Sequence, residues 1–347
     1  MRPGPSNTLT DVAGLRVGHH QRIGDGWLTG TTVVVAPPGG AVAGVDVRGG
    51  GPGTHETDVL DPRNLVDRVH AIVLGGGSAY GLAAVAGVMD RLADARIGFP
   101  VGTEPGQVVP IVPAAVLFDL GRGGDFRATP GPEFGAAAYD AATDGPVALG
   151  TVGAGTGAVA GGIKGGVGSA SVVVDGVTVG ALAVVNAVGS TVDPATGELY
   201  GARFGLAGEF EGARPPDQRE RAAALEAAEA PVAAGRGVGA SFHTTIGVLA
   251  TDGTLTKAQC QKLAGIGHDG MARAIRPVHS MFDGDTVFAL ATCAGPGLDP
   301  VAFNAVLAAA ADAFARAVVH GILAAGSAGG YRAYAEVFPS AVQGWRR

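Results

Sequence analysis

Hydrophobic positions along the chain switch between strand-like runs of β-branched residues and longer stretches at helical spacing, and the switching predicts layers. Thr31 to Ala36 and Ala41 to Val47 read as strands joined by the hairpin punctuation Pro37-Pro38-Gly39-Gly40. The apolar run Ala71 to Leu74 meets Gly75-Gly76-Gly77-Ser78, after which Leu82, Val85, Met89 and Leu92 recur at three- and four-residue steps. This predicts a strand feeding a helix, with Ser78 as the helix cap. Between Val147 and Val188 lie short valine- and alanine-rich segments, including Ser171 to Val174 and Val177 to Val185 around the turn Asp175-Gly176. They predict an antiparallel sheet buried on both faces. Glu209 to His243 then holds Pro215-Pro216, an alanine/glutamate helix signal from Arg221 to Ala230, and Gly235, Gly237 and Gly239, the make-up of a mobile linker. Thr244 to Ala250 is a strand ending at Asp252-Gly253, and Thr256 with Gln259 forms a capping box for a helix facing inward through Leu263, Ile266 and Met271. Thr286 to Thr292 is a further strand. The last long helix starts at Asp299-Pro300 and buries Phe303, Leu307, Phe314, Val318 and Ile322. Strands in the middle with helices early and late predict a layered α/β sandwich.

Composition narrows the function classes. With 347 residues, 47% hydrophobic and 16% charged, the chain can bury a large core as one big domain or two intimate ones. The 60 glycines follow no Gly-X-Y period, so they read as tight turns and close backbone contacts. A net charge of -7 spread along the chain, without a lysine/arginine run, argues against nucleic acid as a partner. Only Cys260 and Cys293 are present, the start lacks a signal pattern, and no uninterrupted apolar stretch is long enough to span a bilayer. The expectation is a cytoplasmic protein with no membrane partner.

Several candidate chemistries fail on spacing. The eight histidines are scattered, His55-Glu56 lacks a second histidine four residues on, and the adjacent His19 and His20 would face opposite ways on a strand, so no metal and no other cofactor is expected. Around Gly157 to Gly166, Lys164 is followed by Gly165 where a phosphate loop needs Ser or Thr. Gly76-Gly77-Ser78-Ala79-Tyr80 has tyrosine where a serine-hydrolase elbow needs its second glycine, and Ala325-Gly326-Ser327-Ala328-Gly329 follows a helix rather than a strand. What survives is a hydroxyl nucleophile whose own freed α-amine is its base. A polar, glycine-rich segment runs straight into Thr244 at the head of a buried strand, so one cut before Thr244 would separate two formed halves. The same pattern also fits a plain linker followed by a strand.

Seven blocks of sequence carry a resemblance over almost the whole length. They are Asn7-Thr8-Leu9-Thr10-Asp11-Val12-Ala13-Gly14-Leu15-Arg16-Val17-Gly18-His19; Arg48-Gly49-Gly50 with Gly53-Thr54; Gly75-Gly76-Gly77-Ser78-Ala79-Tyr80-Gly81-Leu82; Val109-Pro110-Ile111-Val112-Pro113; Lys164-Gly165-Gly166-Val167-Gly168; Thr244-Thr245-Ile246-Gly247-Val248; and Asp283-Gly284-Asp285-Thr286-Val287-Phe288-Ala289. In this order they resemble the L-aminopeptidase/D-esterase (DmpA) family, most closely its nylon-oligomer (6-aminohexanoate-oligomer) hydrolase branch. The resemblance implies a four-layer αββα sandwich of the DmpA/ornithine acetyltransferase type. It also implies a precursor that cleaves itself into an α chain, 1–243, and a β chain, 244–347, with Thr244 as N-terminal nucleophile. By the same carry-over Lys164, Asn186, Asp283 and Asp285 match active-site positions.

These residue types suit acyl transfer. An Asn186 amide can stabilise the oxyanion, Lys164 can lower the cost of deprotonating the threonine hydroxyl, and Asp283 and Asp285, one residue apart on an extended segment, can hold the new α-ammonium. Taken without the resemblance, Asp283-Gly284 reads as a solvated turn and Lys164 as a surface charge. One departure is His243 where close relatives often carry Asn: it is either the last α-chain residue or a general base for the attack. Tyr80, beside a helix start, either lines the substrate pocket or sits at the core boundary. The implied activity is hydrolysis of small amides, short peptides or amino-acid oligomers by a homo-oligomer, a tetramer or larger. The alternatives are an acyltransferase of the ornithine acetyltransferase type and an uncleaved metabolite-binding protein.

Overall fold

A computed structural model describes residues 1–206, 208–229 and 242–345. In chain order its main elements are β1 (Arg16–Gly24), β2 (Trp27–Val35), β3 (Ala41–Val47), β4 (Gly53–His55), β5 (Arg68–Val69), β6 (Ala71–Gly75), α1 (Ala84–Asp94), β7 (Ala114–Val116), α2 (Pro132–Asp140), β8 (Val167–Val174), β9 (Val177–Val184), α3 (Gln218–Glu229), β10 (Ile246–Thr251), α4 (Lys257–Ala274), β11 (Thr286–Ala291) and α5 (Pro300–Leu323). They form a five-stranded sheet, β1-β2-β6-β7-β4, and a six-stranded sheet, β8-β9-β10-β11-β3-β5.

Three apolar cores separate four layers. Val33, Val35, Val73 and Ala114 pack with Val85, Val88 and Leu92 of α1 and Ala138 of α2 on the outside of the five-stranded sheet. Val34, Ile72 and Leu74 meet Leu182, Ile246, Val248, Phe288 and Leu290 between the sheets. Val179, Ala183, Leu249 and Val287 pack with Leu263 and Met271 of α4 and Phe314, Val318 and Ile322 of α5 on the far side. Alternate residues of one strand therefore point into different cores, and strands apolar on both faces are what two stacked sheets covered by helices require. The result is the αββα sandwich. The long apolar α5 is buried along most of its length and is a core helix.

Local signals fare unevenly. Asp175 (φ 50°) and Gly176 (φ 83°) take the left-handed conformations of a tight hairpin between β8 and β9. The Thr256/Gln259 box caps α4, and Asp299 accepts the Val301 and Ala302 amides at the start of α5. The hairpin expected across Pro37–Gly40 is corrected: β2 lies between β1 and β6 in one sheet and β3 between β11 and β5 in the other. β2 is buried on both faces and β3 over most of its length, each inside its own sheet, and the turn carries the chain from one layer to the next. The cap expected at Ser78 is also corrected. Ser78 has φ 50° and its hydroxyl caps nothing; a 3-10 turn, Ser78–Ala83, precedes α1. The preceding glycine turn is shaped instead to deliver the Gly77 N–H to the Asp119 carboxylate at 2.6 Å.

The linker expected from Glu209 to His243 begins as core. Glu209 is held by Nε and NH2 of Arg316, by His320 and by Asn7. Burial alone would raise its carboxyl pKa, and these partners drive it well below the usual carboxylate range. Residues 218–229 form α3. Residues 230–241, with the glycines on which the mobility was argued, lie outside the described residues.

Candidate active site

Strand register brings the candidate residues to one edge of the six-stranded sheet. Val167 pairs with Val184, Val184 with Ile246, Ile246 with Thr286, and Thr286 with Val47, a single row across five strands. β8, β10 and β11 start at that row, whereas β9 and β3 end there. The residues just beyond it are Lys164 to Gly166, Val185 and Asn186, Thr244 and Thr245, Asp283 to Asp285, and Arg48 to Gly50. Five distant segments of sequence become neighbours because β10 and β11 are parallel and their flanking strands are antiparallel.

Thr244 is buried, 4% exposed. Its N–H donates to the Asn186 carbonyl at 2.7 Å, and its hydroxyl donates to the carbonyl oxygen of His243, the residue whose bond to Thr244 is the candidate scissile peptide. The His243 N–H donates to the Phe282 carbonyl at 3.0 Å. Nothing larger than glycine fits at 284: a Cβ there would stand 2.8 Å from Thr244 Oγ1 and 2.6 Å from the Gly51 carbonyl oxygen.

The two aspartates brace the strand ends beside Thr244. Asp285 accepts the Thr245 N–H at 2.8 Å with one oxygen, and with the other the N–H and Nδ1 of His279 at 3.1 and 2.7 Å. Asp283 accepts the Val188 N–H at 3.1 Å and both the N–H and hydroxyl of Ser280. Burial raises the Asp283 pKa, and the neighbouring Asp285 charge adds to the rise against the hydrogen bonds. The exposed-turn reading of Asp283 thus gives way, both carboxylates being about 1% exposed.

Lys164 is fully buried rather than a surface charge. Its ammonium donates to three carbonyls, of Gly155, Ala158 and Gly165, at 2.8, 3.0 and 2.7 Å. Burial, then the Arg122 charge, pushes its pKa down to about 7, while Asp119 pulls it up; the three carbonyls fit the protonated form. The three Lys164 donors are thus engaged by carbonyls and not by the Thr244 hydroxyl. Asn186 is also fully buried, and its Oδ1 accepts the Val159 N–H at 3.0 Å and Arg122 NH1 at 2.5 Å. Tyr80 is half-exposed, with the Arg127 guanidinium 5.5 Å from its ring.

Arg122, Asp119, His279 and Ser280 are the site's residues that pattern reading passed over. Each lies in a loop where nothing marks it: Arg122 within Gly121-Arg122-Gly123-Gly124, and His279-Ser280 ahead of the aspartates. Arg122 meets Asn186 only through tertiary structure, and His279 and Ser280 meet the aspartates across a turn that no motif announces.

With this geometry in place, comparison with known proteins is specific. The model of Peptidase family S58 matches residues 7–335. An uncharacterized aminopeptidase of Mycobacterium tuberculosis is 51% identical over 96% of this chain and 99% of its own. A 6-aminohexanoate-oligomer endohydrolase of Paenarthrobacter ureafaciens is 33% identical over 76% of this chain and 69% of its own. Among solved structures, a β-aminopeptidase from Burkholderia sp. matches with TM-score 0.70 at 24% identity, over 99% of this chain and 96% of that one. The L-aminopeptidase D-Ala-esterase/amidase of Ochrobactrum anthropi, described as a variant among the Ntn hydrolase fold, matches with TM-score 0.68 at 23% identity, over 93% and 87%. The chain belongs to peptidase family S58 and has the N-terminal-nucleophile hydrolase fold.

Proposed function

We propose that this chain is a self-cleaving aminopeptidase or small-amide hydrolase whose nucleophile for both maturation and turnover is Thr244. The observation that carries the reading is the Thr244 hydroxyl lying against the His243 carbonyl at the buried convergence of five strand ends. In maturation Thr244 Oγ1 attacks the His243 carbonyl carbon, and the tetrahedral centre collapses with loss of the Thr244 nitrogen as an amine, leaving an ester. Water hydrolyses the ester to the His243 carboxylate and restores the hydroxyl. In turnover the freed α-amine takes the hydroxyl proton as Oγ1 attacks a substrate amide and passes it to the leaving amine; water then releases the acyl group. Asn186 Nδ2 is the oxyanion donor, Lys164 supplies positive charge at the site, and Asp283 and Asp285 hold the new chain end.

The products of maturation are an α chain, 1–243, and a β chain, 244–347. They stay together because β10 is hydrogen-bonded to α-chain β9 on one side and to its own β11 on the other, and β11 in turn pairs with α-chain β3. The relative named as an aminopeptidase supports a substrate with a free amine, and the one named as a 6-aminohexanoate-oligomer endohydrolase supports a linear amide oligomer. The assembly is a homo-oligomer, which sedimentation tests.

Thr244→Ala is the decisive variant. It should leave one polypeptide with no hydrolysis of a chromogenic amino-acid anilide, whereas an active Thr244→Ala protein would refute the assignment. Product analysis with added amines separates hydrolysis from acyl transfer: the free acid should dominate, and a new amide as main product would make the protein a transferase.

A further inference from the structure

We infer that Arg122 is a positioning residue that acts through Asn186, fixing the side-chain amide and strengthening its N–H as a donor to the reaction centre. The inference rests on the proposed role of Asn186 and adds the group that makes that role work.

A buried asparagine amide has two faces of opposite polarity, and an oxyanion needs the nitrogen end. In this site Oδ1 accepts two donors, the Val159 N–H at 3.0 Å and Arg122 NH1 at 2.5 Å. Both lone pairs of the oxygen are thereby used, and a flipped amide would set its NH2 against two donors, one of them a cation. The nitrogen end is held more loosely, with the Phe118 carbonyl at 3.4 Å, beyond the usual range of a strong hydrogen bond. One end of the amide is clamped and the other keeps hydrogen-bonding capacity, in a residue whose backbone carbonyl already accepts the Thr244 N–H.

The clamp is charge-assisted. A guanidinium on Oδ1 draws electron density toward the oxygen and leaves the N–H groups more positive, so the donor is stronger for an arriving negative charge. The same Arg122 NH1 donates to the Gly157 carbonyl at 2.6 Å, which fixes the guanidinium between two acceptors. Its charged neighbours are Asp119, whose acidity it favours, and Lys164, whose protonation it opposes. Arg122 comes from the loop after β7 in the five-stranded sheet, so its reach to Asn186 joins the two sheets across the site.

Arg122→Gln and Arg122→Lys, assayed with an amino-acid anilide alongside thermal melting, test the inference. Arg122→Gln should mature slowly and, once mature, lose kcat by about 10- to 100-fold with KM held within about 2-fold, the signature of a lost transition-state interaction. Arg122→Lys should recover part of that kcat, since a point charge restores polarisation without the fork. In an Asn186→Ala background, Arg122→Gln should change kcat by less than about 2-fold. A merely structural Arg122 would lower the melting temperature and cost as much in both backgrounds, and that result overturns the inference. So does unchanged kcat in Arg122→Gln. If Asn186→Ala turns over too slowly to read, the kcat/KM split and the lysine rescue decide the matter alone. Inactivity of Thr244→Ala stands whichever way Arg122 behaves, so the two readings fail separately.

Discussion

Each sheet contains one parallel pair, and the two pairs meet the site from opposite ends. In the six-stranded sheet β10 and β11 begin there, so Thr244, Asp283 and Asp285 precede their strands. In the five-stranded sheet β6 and β7 end nearby, and the residues that follow them are Gly77, Phe118, Asp119 and Arg122. In the proposed mechanism the first pair supplies the reacting atoms and the groups that brace them. The second supplies charge and orientation: Asp119 gathers the Gly77 N–H, and Arg122 grips Asn186. A parallel pair puts two strand ends of the same polarity side by side, and in the proposed mechanism one such junction serves covalent chemistry and the other electrostatics.

The largest effect is expected at Lys164, whose charge lies before β8 at the same strand-end row as Thr244. Lys164→Met should cut activity by at least about 100-fold, because three buried carbonyls lose their shared donor and the site its positive charge; steady-state kinetics on matured protein checks it. A Lys164→Met enzyme with near-normal kcat would move the lysine out of the site.

Next in size, Glu209→Gln should cost about 3–5 kcal/mol in chemical denaturation, since Arg316 is left with a neutral partner in a buried cluster. It should leave kcat unchanged, because the cluster joins Asn7 and Glu209 to α5 away from the strand-end row. The Glu209 charge stabilises the fold above the usual glutamate pKa, and that contribution is lost as pH falls toward its depressed folded value. Wild type should therefore lose more stability than Glu209→Gln on acidification from pH 5. Equal acid sensitivity would contradict the cluster's weight.

Gly284→Ala probes the tightness around the nucleophile. The added Cβ would fall 2.8 Å from Thr244 Oγ1, so maturation should slow by about 10-fold on a denaturing gel time course. Wild-type maturation in Gly284→Ala would mean that the loop has room to give.

The smallest effect is on pH-dependent stability. Lys164 has a folded pKa of about 7 against the ordinary lysine value of 10.5, so the unfolded chain binds more protons between those values and stability rises with pH across that window. Removing the lysine should flatten that rise in urea midpoints measured from pH 7 to 10. An unchanged slope would assign the rise to other groups, such as Lys257, whose pKa burial also lowers.

The strand starts on the covalent side are legible in the sequence, and the electrostatic side is not. The segments before β10 and β11 are flagged by what surrounds them: strand-like runs begin at once after Thr245 and Asp285, and an apolar strand's start is a local signal. Lys164, Asn186, Asp283 and Asp285 come through the family resemblance, since a lysine in a glycine-rich segment looks like a surface charge and Asp283-Gly284 like a solvated turn until the fold buries them. Arg122 and His279 had no such help, because their partners lie 64 and 6 residues away across turns whose geometry no local rule supplies. The false hairpin at Pro37–Gly40 has a related cause. Turn chemistry reports that the chain reverses, but whether the next strand pairs or stacks depends on how many faces each strand must bury.

N-terminal sequencing of freshly purified, active protein is the most direct test of the central claim. The account predicts two chains, the shorter beginning Thr-Thr-Ile-Gly-Val, and a single intact chain from Thr244→Ala. Full activity from one uncut polypeptide, or a second chain starting at any other residue, would contradict it.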